Sequence, residues 1–230
     1  MIRYKSVILH VAITSMLVGQ SNIATYFRDG LVNTVSSKSN QMIFAAGLLG
    51  AGLAYKNDKA VQKYAQSQGI MPDKLAEIGD YWGNGGQLLL WGSILSSKNR
   101  NENSRFVSTA FLTNIILTYG LKYGVGRERP DGSNNRAFSS GHTSNSFLTA
   151  TIAQEIYGSK VGIPAYIMAC ITGMSRIHDD KHYLSDVIFG AALGTAVGKG
   201  FGLVYRDNQN LKIGIIPGNQ QLQINFVWSL

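Results

Sequence analysis

The sequence predicts an all-α protein, a globular helical bundle that ends in a short β-hairpin. Three observations carry that expectation. Apolar, small-residue-rich runs recur along the chain and are punctuated by Gly, Pro and Asn/Asp clusters. Apolar residues make up 45% of the 230 and charged ones 15%, which suits one domain with a sizeable core and not a disordered chain. Alternation at period two is confined to the C-terminal tail.

The elements follow in order. Arg3 and Lys5 precede an apolar stretch over 6–18, and Gly19, Gln20 and Ser21 follow. That basic–apolar–small order is the pattern of a secretory signal over 1–21, with an uncleaved anchor as the rival reading. The helical domain is expected over 22–205 and the hairpin, packed on it, over 206–230. Residues 22–40 read as loop plus a short helix. Residues 41–55 form a buried helix whose glycines permit close contact, and 56–68 a charged amphipathic one stopped by Gly69 and Pro72. Pro72 and Asp73 open a short helix that ends at Gly79. Residues 80–86, DYWGNGG, read as a turn-rich loop, with Tyr81 and Trp82 either at a substrate entrance or tucked into the core. Apolar helices are expected over 88–95, 106–119, 163–174 and 185–204, and another from His142 to about Tyr157. None of these runs has the 18–20 uninterrupted apolar residues of a membrane span, which favours a globular bundle over a polytopic protein. In the tail, 211–215 and 222–228 alternate around Pro217-Gly218-Asn219, a hairpin that needs the bundle to pack on. A membrane-touching or oligomerising edge is its alternative reading.

Net charge is +8 without a basic block. That argues against a nucleic-acid tract and leaves anionic lipid surfaces or phosphorylated substrates as partners. Oligomeric state is not specified by the sequence. Cys170 is the only cysteine, so it has no internal disulfide partner, and its apolar surroundings predict a small packed hydrophobe.

The chemistry concentrates between residues 122 and 186. Lys122 precedes Arg129-Pro130 by seven positions, Ser139-Ser140-Gly141-His142 follows, and Ser175-Arg176, His182 and Asp186 complete the set. Phosphoryl transfer spreads charge over equatorial oxygens, so it needs fixed cations aimed at them. The planar forks of Arg129 and Arg176 suit that task, with Lys122 as a point charge. Lys122 and Arg129 share a face if their helix continues to near Glu128. Ser140 and Gly141 stand at a helix start, where backbone amides form an anion site and glycine lets a ligand approach closely. His142 then stands where it could protonate a leaving oxygen. His182 and Asp186 are four apart and face each other on a helix, so the aspartate orients one ring nitrogen and leaves the other to attack. Taken singly, each piece is also read as a solvated face, a helix cap or a structural pair.

The ordered set resembles the type 2 phosphatidic acid phosphatase superfamily, which also holds bacterial non-specific acid phosphatases and vanadium haloperoxidases. The family pattern is Lys, six residues, Arg-Pro; then Pro-Ser-Gly-His; then Ser-Arg, five residues, His, three residues, Asp. Only Ser139, in place of proline, departs from it, at a position that shapes the turn. The resemblance implies a bundle of about six core helices and a phosphatase needing no metal or cofactor. It also implies the roles: His182 as the nucleophile forming a phosphohistidine, Asp186 as its partner, and His142 as acid and then base. Lys122, Arg129, Ser140, Gly141 and Arg176 would form the phosphate cradle. The expected substrate is a phosphorylated membrane lipid, and the expected place periplasmic or secreted with membrane contact. The alternatives are a soluble acid phosphatase on small esters, a vanadate-dependent haloperoxidase, and a phosphate-binding protein without turnover. His178 and His182, with Asp179, Asp180 and Asp186 nearby, also have metal-ligand spacing, but a metal reading leaves three cations unexplained.

Overall fold

The computed structural model describes residues 23–218 and 221–228, with side chains through Gln209 and backbone alone beyond. Eight helices occupy the described residues before the tail: α1 (Ile23–Ser36), α2 (Lys38–Tyr55), α3 (Asp58–Gln68), α4 (Asp73–Leu95), α5 (Arg100–Val125), α6 (Gly141–Tyr157), α7 (Ser159–His178) and α8 (Leu184–Asn210). The all-helical expectation holds. The signal pattern over 1–21 lies outside the described residues. Beyond α8, the backbone of β1 (Leu211–Gly218) pairs antiparallel with that of β2 (Gln221–Trp228), Leu211 opposite Trp228 and Gly218 opposite Gln221. The expected packing of a hairpin against the bundle rests on side chains outside the described ones.

α8 is the axle of the bundle and packs against α1, α2, α5 and α6. Phe106, Phe111, Leu148, Ile152, Val197 and Phe201 are all fully buried and fill the space between these helices. α8 is the one described helix long and apolar enough to cross a membrane, which corrects the expectation that no run reaches that length; 61% of its apolar window is buried inside the bundle. The parallel helices α6 and α8 approach closely because Gly190, Gly194 and Gly198 put bare backbone against Ser140, Ser144 and Thr151. A Cβ at Gly190 would stand 2.7 Å from the Ser140 carbonyl oxygen. At the other end of α2, Ser37 caps the helix through its hydroxyl, and buried Asn40 donates to the carbonyls of Asn33 and Ala196, tying α1 and α2 to the axle.

Three sequence expectations are corrected here. Residues 80–86 are not a loop: α4 runs unbroken from Asp73 to Leu95. Its glycines cost helix propensity, roughly 1 kcal/mol each, but Gly79 lies against α7 at Ile171 and Ser175, and Gly83 against His142. Close packing therefore overrides the turn signal. Of the stretch read as loop plus a short helix, 23–40 is almost wholly helical, since α1 and α2 are separated only at Ser37. Cys170 is exposed and not packed, because it lies on the outward face of α7.

Candidate active site

The predicted site residues collect at one end of the bundle, where α5 and α7 finish and α6 and α8 begin. α5 stops at Val125 because Gly126 takes a left-handed conformation (φ 61°) and donates its N–H back to the Lys122 carbonyl. The helix therefore ends short of Glu128. Arg129 arrives through the following loop and not along a shared helical face, which corrects that part of the spacing argument. Its N–H donates to the carbonyl of Asn134, closing the loop on itself.

Lys122 is buried, with Nζ donating to the carbonyls of Ser139 (2.7 Å) and Arg136 (2.8 Å). Ser139, the position that departs from the family proline, thus contributes its backbone to anchoring the ammonium group. Ser140 precedes the first residue of α6, and its hydroxyl pairs with that of Thr143 at 2.9 Å. Its N–H donates to the Asp186 carbonyl, so the start of α6 is stitched to the start of α8. Gly141 keeps the helix start open beside Thr118 and the Lys122 side chain.

His142 is half-buried. Its Nε2 lies 2.8 Å from the Asn84 amide nitrogen and 3.4 Å from Asp80 Oδ1. Asp80 also receives a short bond from Arg176 Nη1, and the same nitrogen is 3.3 Å from Asp179. One turn of α4 thereby links the second imidazole to the buried guanidinium. The sequence reading placed residues 80–86 near the site but missed Asp80 and Asn84 as contacts. Their i, i+4 spacing beside Gly83 was the available signal, hidden by the loop assignment.

His182 is 3% exposed and Asp186 0%. His182 precedes α8, so the pair is not on one helix as expected. The residues still meet, with His182 Nδ1 3.8 Å from Asp186 Oδ2, an electrostatic contact longer than a hydrogen bond. Asp186 Oδ2 accepts the Tyr183 N–H at 2.9 Å, which fixes the carboxylate at the positive end of α8. Burial pushes the His182 imidazole down to about 4. Asp186 opposes that shift, while the charges of Lys122 and Arg129 add to it. Two of the three motif cations, Lys122 and Arg129, therefore lie within electrostatic reach of this ring. His178 turns away from the group, with Nε2 3.1 Å from Asp73.

The sequence reading also missed Arg127, two residues before Arg129. It bridges Asp186 and Asp58 at 2.7 Å each.

Comparison with known proteins fits this arrangement. Residues 105–210 match the family model described as PAP2 superfamily. A lipid A 1-phosphatase of Porphyromonas gingivalis is 42% identical over 132 residues, an alignment covering 53% of this chain and 29% of that protein. This chain therefore spans less than a third of that relative's length. Among solved structures, the transmembrane PAP2-type phosphatidylglycerolphosphate phosphatase of Bacillus subtilis superposes with a TM-score of 0.58 at 22% identity, covering 74% of this chain and 95% of its own. LpxE of Aquifex aeolicus gives a TM-score of 0.53 at 20% identity, covering 65% and 93%. At those identities the structures speak for the fold. The motifs, the matched segment and the fold agree: residues 105–210 of this chain are similar to the PAP2 superfamily, the type 2 phosphatidic acid phosphatases.

Proposed function

We propose that the chain is a metal-independent phosphatase that removes phosphate from a membrane lipid, monoester or pyrophosphate, through a phosphohistidine on His182. The observation that carries this reading is the environment of His182: a buried, neutral imidazole with a carboxylate at Nδ1 and the charges of Lys122 and Arg129 within reach. Because Nδ1 faces Asp186, Nε2 is the attacking atom. Its lone pair forms the P–N bond as the P–O bond to the lipid breaks, and His142 gives the leaving oxygen a proton. Water then attacks phosphorus, His142 takes back a proton, the P–N bond breaks and phosphate leaves. Lys122, Arg129, Arg176, Ser140 and the first amides of α6 hold the equatorial oxygens.

A lipid substrate is favoured over a small ester by the outer surface. Large apolar side chains stand exposed on several helices, among them Leu49 and Leu53 on α2, Leu89 on α4, Ile116 on α5 and Ile167 on α7. A surface so widely apolar suits contact with acyl chains better than with water. A groove of about 270 Å³ runs between α4, α6 and α7, lined by Trp82, Leu89, Ala153, Tyr157, Val161 and Ala165. It begins at Trp82, next to the Gly83 that touches His142, and so offers an acyl chain a path away from the reacting phosphate. The relatives are a lipid A 1-phosphatase and a phosphatidylglycerolphosphate phosphatase, which supports the same class. Phosphate release is to be measured in EDTA on phosphatidate, phosphatidylglycerol phosphate, lipid A and a soluble aryl phosphate. Turnover of a lipid that is inhibited by vanadate and lost in His182→Ala is the expected result. Preference for the soluble ester would move the reading to a non-specific acid phosphatase, and phosphate binding without turnover would end it.

A further inference from the structure

We propose that Arg127 and Asp58 are a positioning pair that fixes Asp186, and through it His182; the proposal rests on the reading of His182 as nucleophile. Neither residue belongs to the three motifs, and Asp58 lies outside the family-matched segment. Asp58 is the first residue of α3 and 2% exposed. An aspartate so deeply buried needs compensation, and it has three bonds. Its Oδ2 accepts from Arg127 Nη2 (2.7 Å) and from the Ser185 hydroxyl (2.5 Å), and its Oδ1 accepts from the Ser185 N–H (3.0 Å). Arg127 closes the circuit: Nη1 donates to the Ser185 hydroxyl and to Asp186 Oδ1, both at 2.7 Å.

The geometry assigns each oxygen of Asp186 a separate task. Oδ1 is held by Arg127, while Oδ2 takes the Tyr183 N–H and faces His182 Nδ1. Fixing Oδ1 stops the carboxylate from rotating, and that rotation would change the distance to His182. Only arginine fits the position. It must reach two carboxylates from two nitrogens while its guanidinium carbon lies over the rings of Tyr183, 4.1 Å from the centre, and Tyr55, 5.1 Å from the centre. Ser185, the neighbour of Asp186, is held by the same pair, so the whole connection 182–186 is anchored to α3. None of these contacts touches the cradle formed by Lys122, Arg129 and Arg176. Arg127 and Asp58 therefore set the reactivity of the nucleophile without binding phosphate.

The test is a double-mutant cycle of Arg127→Met with Asp186→Asn, with Asp58→Asn as a gentler second probe that preserves shape. Kinetics are measured on lipid substrate and normalised to folded protein. Each single change at Arg127 or Asp58 is expected to lower kcat by on the order of 10- to 100-fold, the range seen for partners that orient a functional histidine. KM and the vanadate inhibition constant should stay within about twofold. In the Asp186→Asn background, Arg127→Met should cost little more, because its effect passes through Asp186. Additive losses, vanadate affinity falling in step with kcat, or unchanged kcat with only a lower Tm would each overturn the proposal. A native chain that releases phosphate from no ester would instead overturn the functional reading. The pair is then judged by the His182 imidazole titration in NMR spectra, assigned with His182→Gln. Arg127→Met and Asp58→Asn must displace that titration, and an unmoved one rejects the pair.

Discussion

Arg129 and Arg176 reach the site by different routes. Arg176 is locked in the last turn of α7 with Asp80 and Asp179 against it, whereas Arg129 is carried by a loop closed through Asn134. If both hold phosphoryl oxygens, Arg129→Ala and Arg176→Ala should each lower kcat/KM by on the order of 10²–10³-fold. Circular dichroism should show the helical fold intact; unfolded protein would mean that the arginines are structural instead. The protonation of His182 gives a second prediction. Attack requires the neutral ring, and burial holds the folded-state value near 4 against 6.5 for an ordinary imidazole. Activity should therefore fall on acidification only as pH approaches about 4. Stability follows the same sign. Between 4 and 6.5 the unfolded chain binds a proton that the folded one refuses, so the contribution of this group is full above 6.5 and is lost as pH drops towards 4. A pH–rate profile and urea titrations at pH 4.5 and 7.5 check both. The motif residues were legible in the sequence because the chemistry demands those side-chain types in that order. Asp58, Asp80 and Asn84 were not, since they contact the motif from helices far away in the chain, and Arg127 was passed over as a spacer between Lys122 and Arg129.

Among the elements, α4 shows where reading by composition fails. DYWGNGG has the residues of a turn, yet it is helical, because Gly83 within it and Gly79 just before it are where α4 touches its neighbours. A Cβ at Gly83 would stand 2.6 Å from the His142 ring. Gly83→Ala should therefore displace the imidazole, and a misplacement of about an ångström costs about 10²-fold in rate. Gly85→Ala, whose Cβ would meet nothing within 4 Å, should leave rate alone and raise stability by roughly 0.5–1 kcal/mol. Kinetics and thermal unfolding of the two variants separate the effects. Helix existence along α2, α5, α6, α7 and α8 was readable from apolar runs. Their ends were not, because α5 and α7 extend into polar residues such as Arg100 and His178, and His178 is held by Asp73 and Gln66, which lie far away in the chain.

For the whole molecule, the exposed apolar faces and the groove beginning at Trp82 make a bilayer the natural surrounding of the bundle. The chain is expected to stay with membranes after alkaline carbonate washing and to need detergent for release. Recovery in the wash would return it to the soluble reading. The sequence pointed to membrane contact but to a globular bundle and no span, because Thr, Asn, Gln and Ser interrupt each apolar run; the fold turns many of them inward, as with Thr113, Asn114 and Thr118 on α5. A last consequence attaches to the close approach of α6 and α8. At Gly190, Gly194 and Gly198 there is room for a hydrogen atom and nothing larger. Drift in this part of the gene is therefore fenced at every fourth codon. A saturation library across α8, scored for survival of activity, should return a comb: tolerant teeth on the outer face and blank columns at 190, 194 and 198.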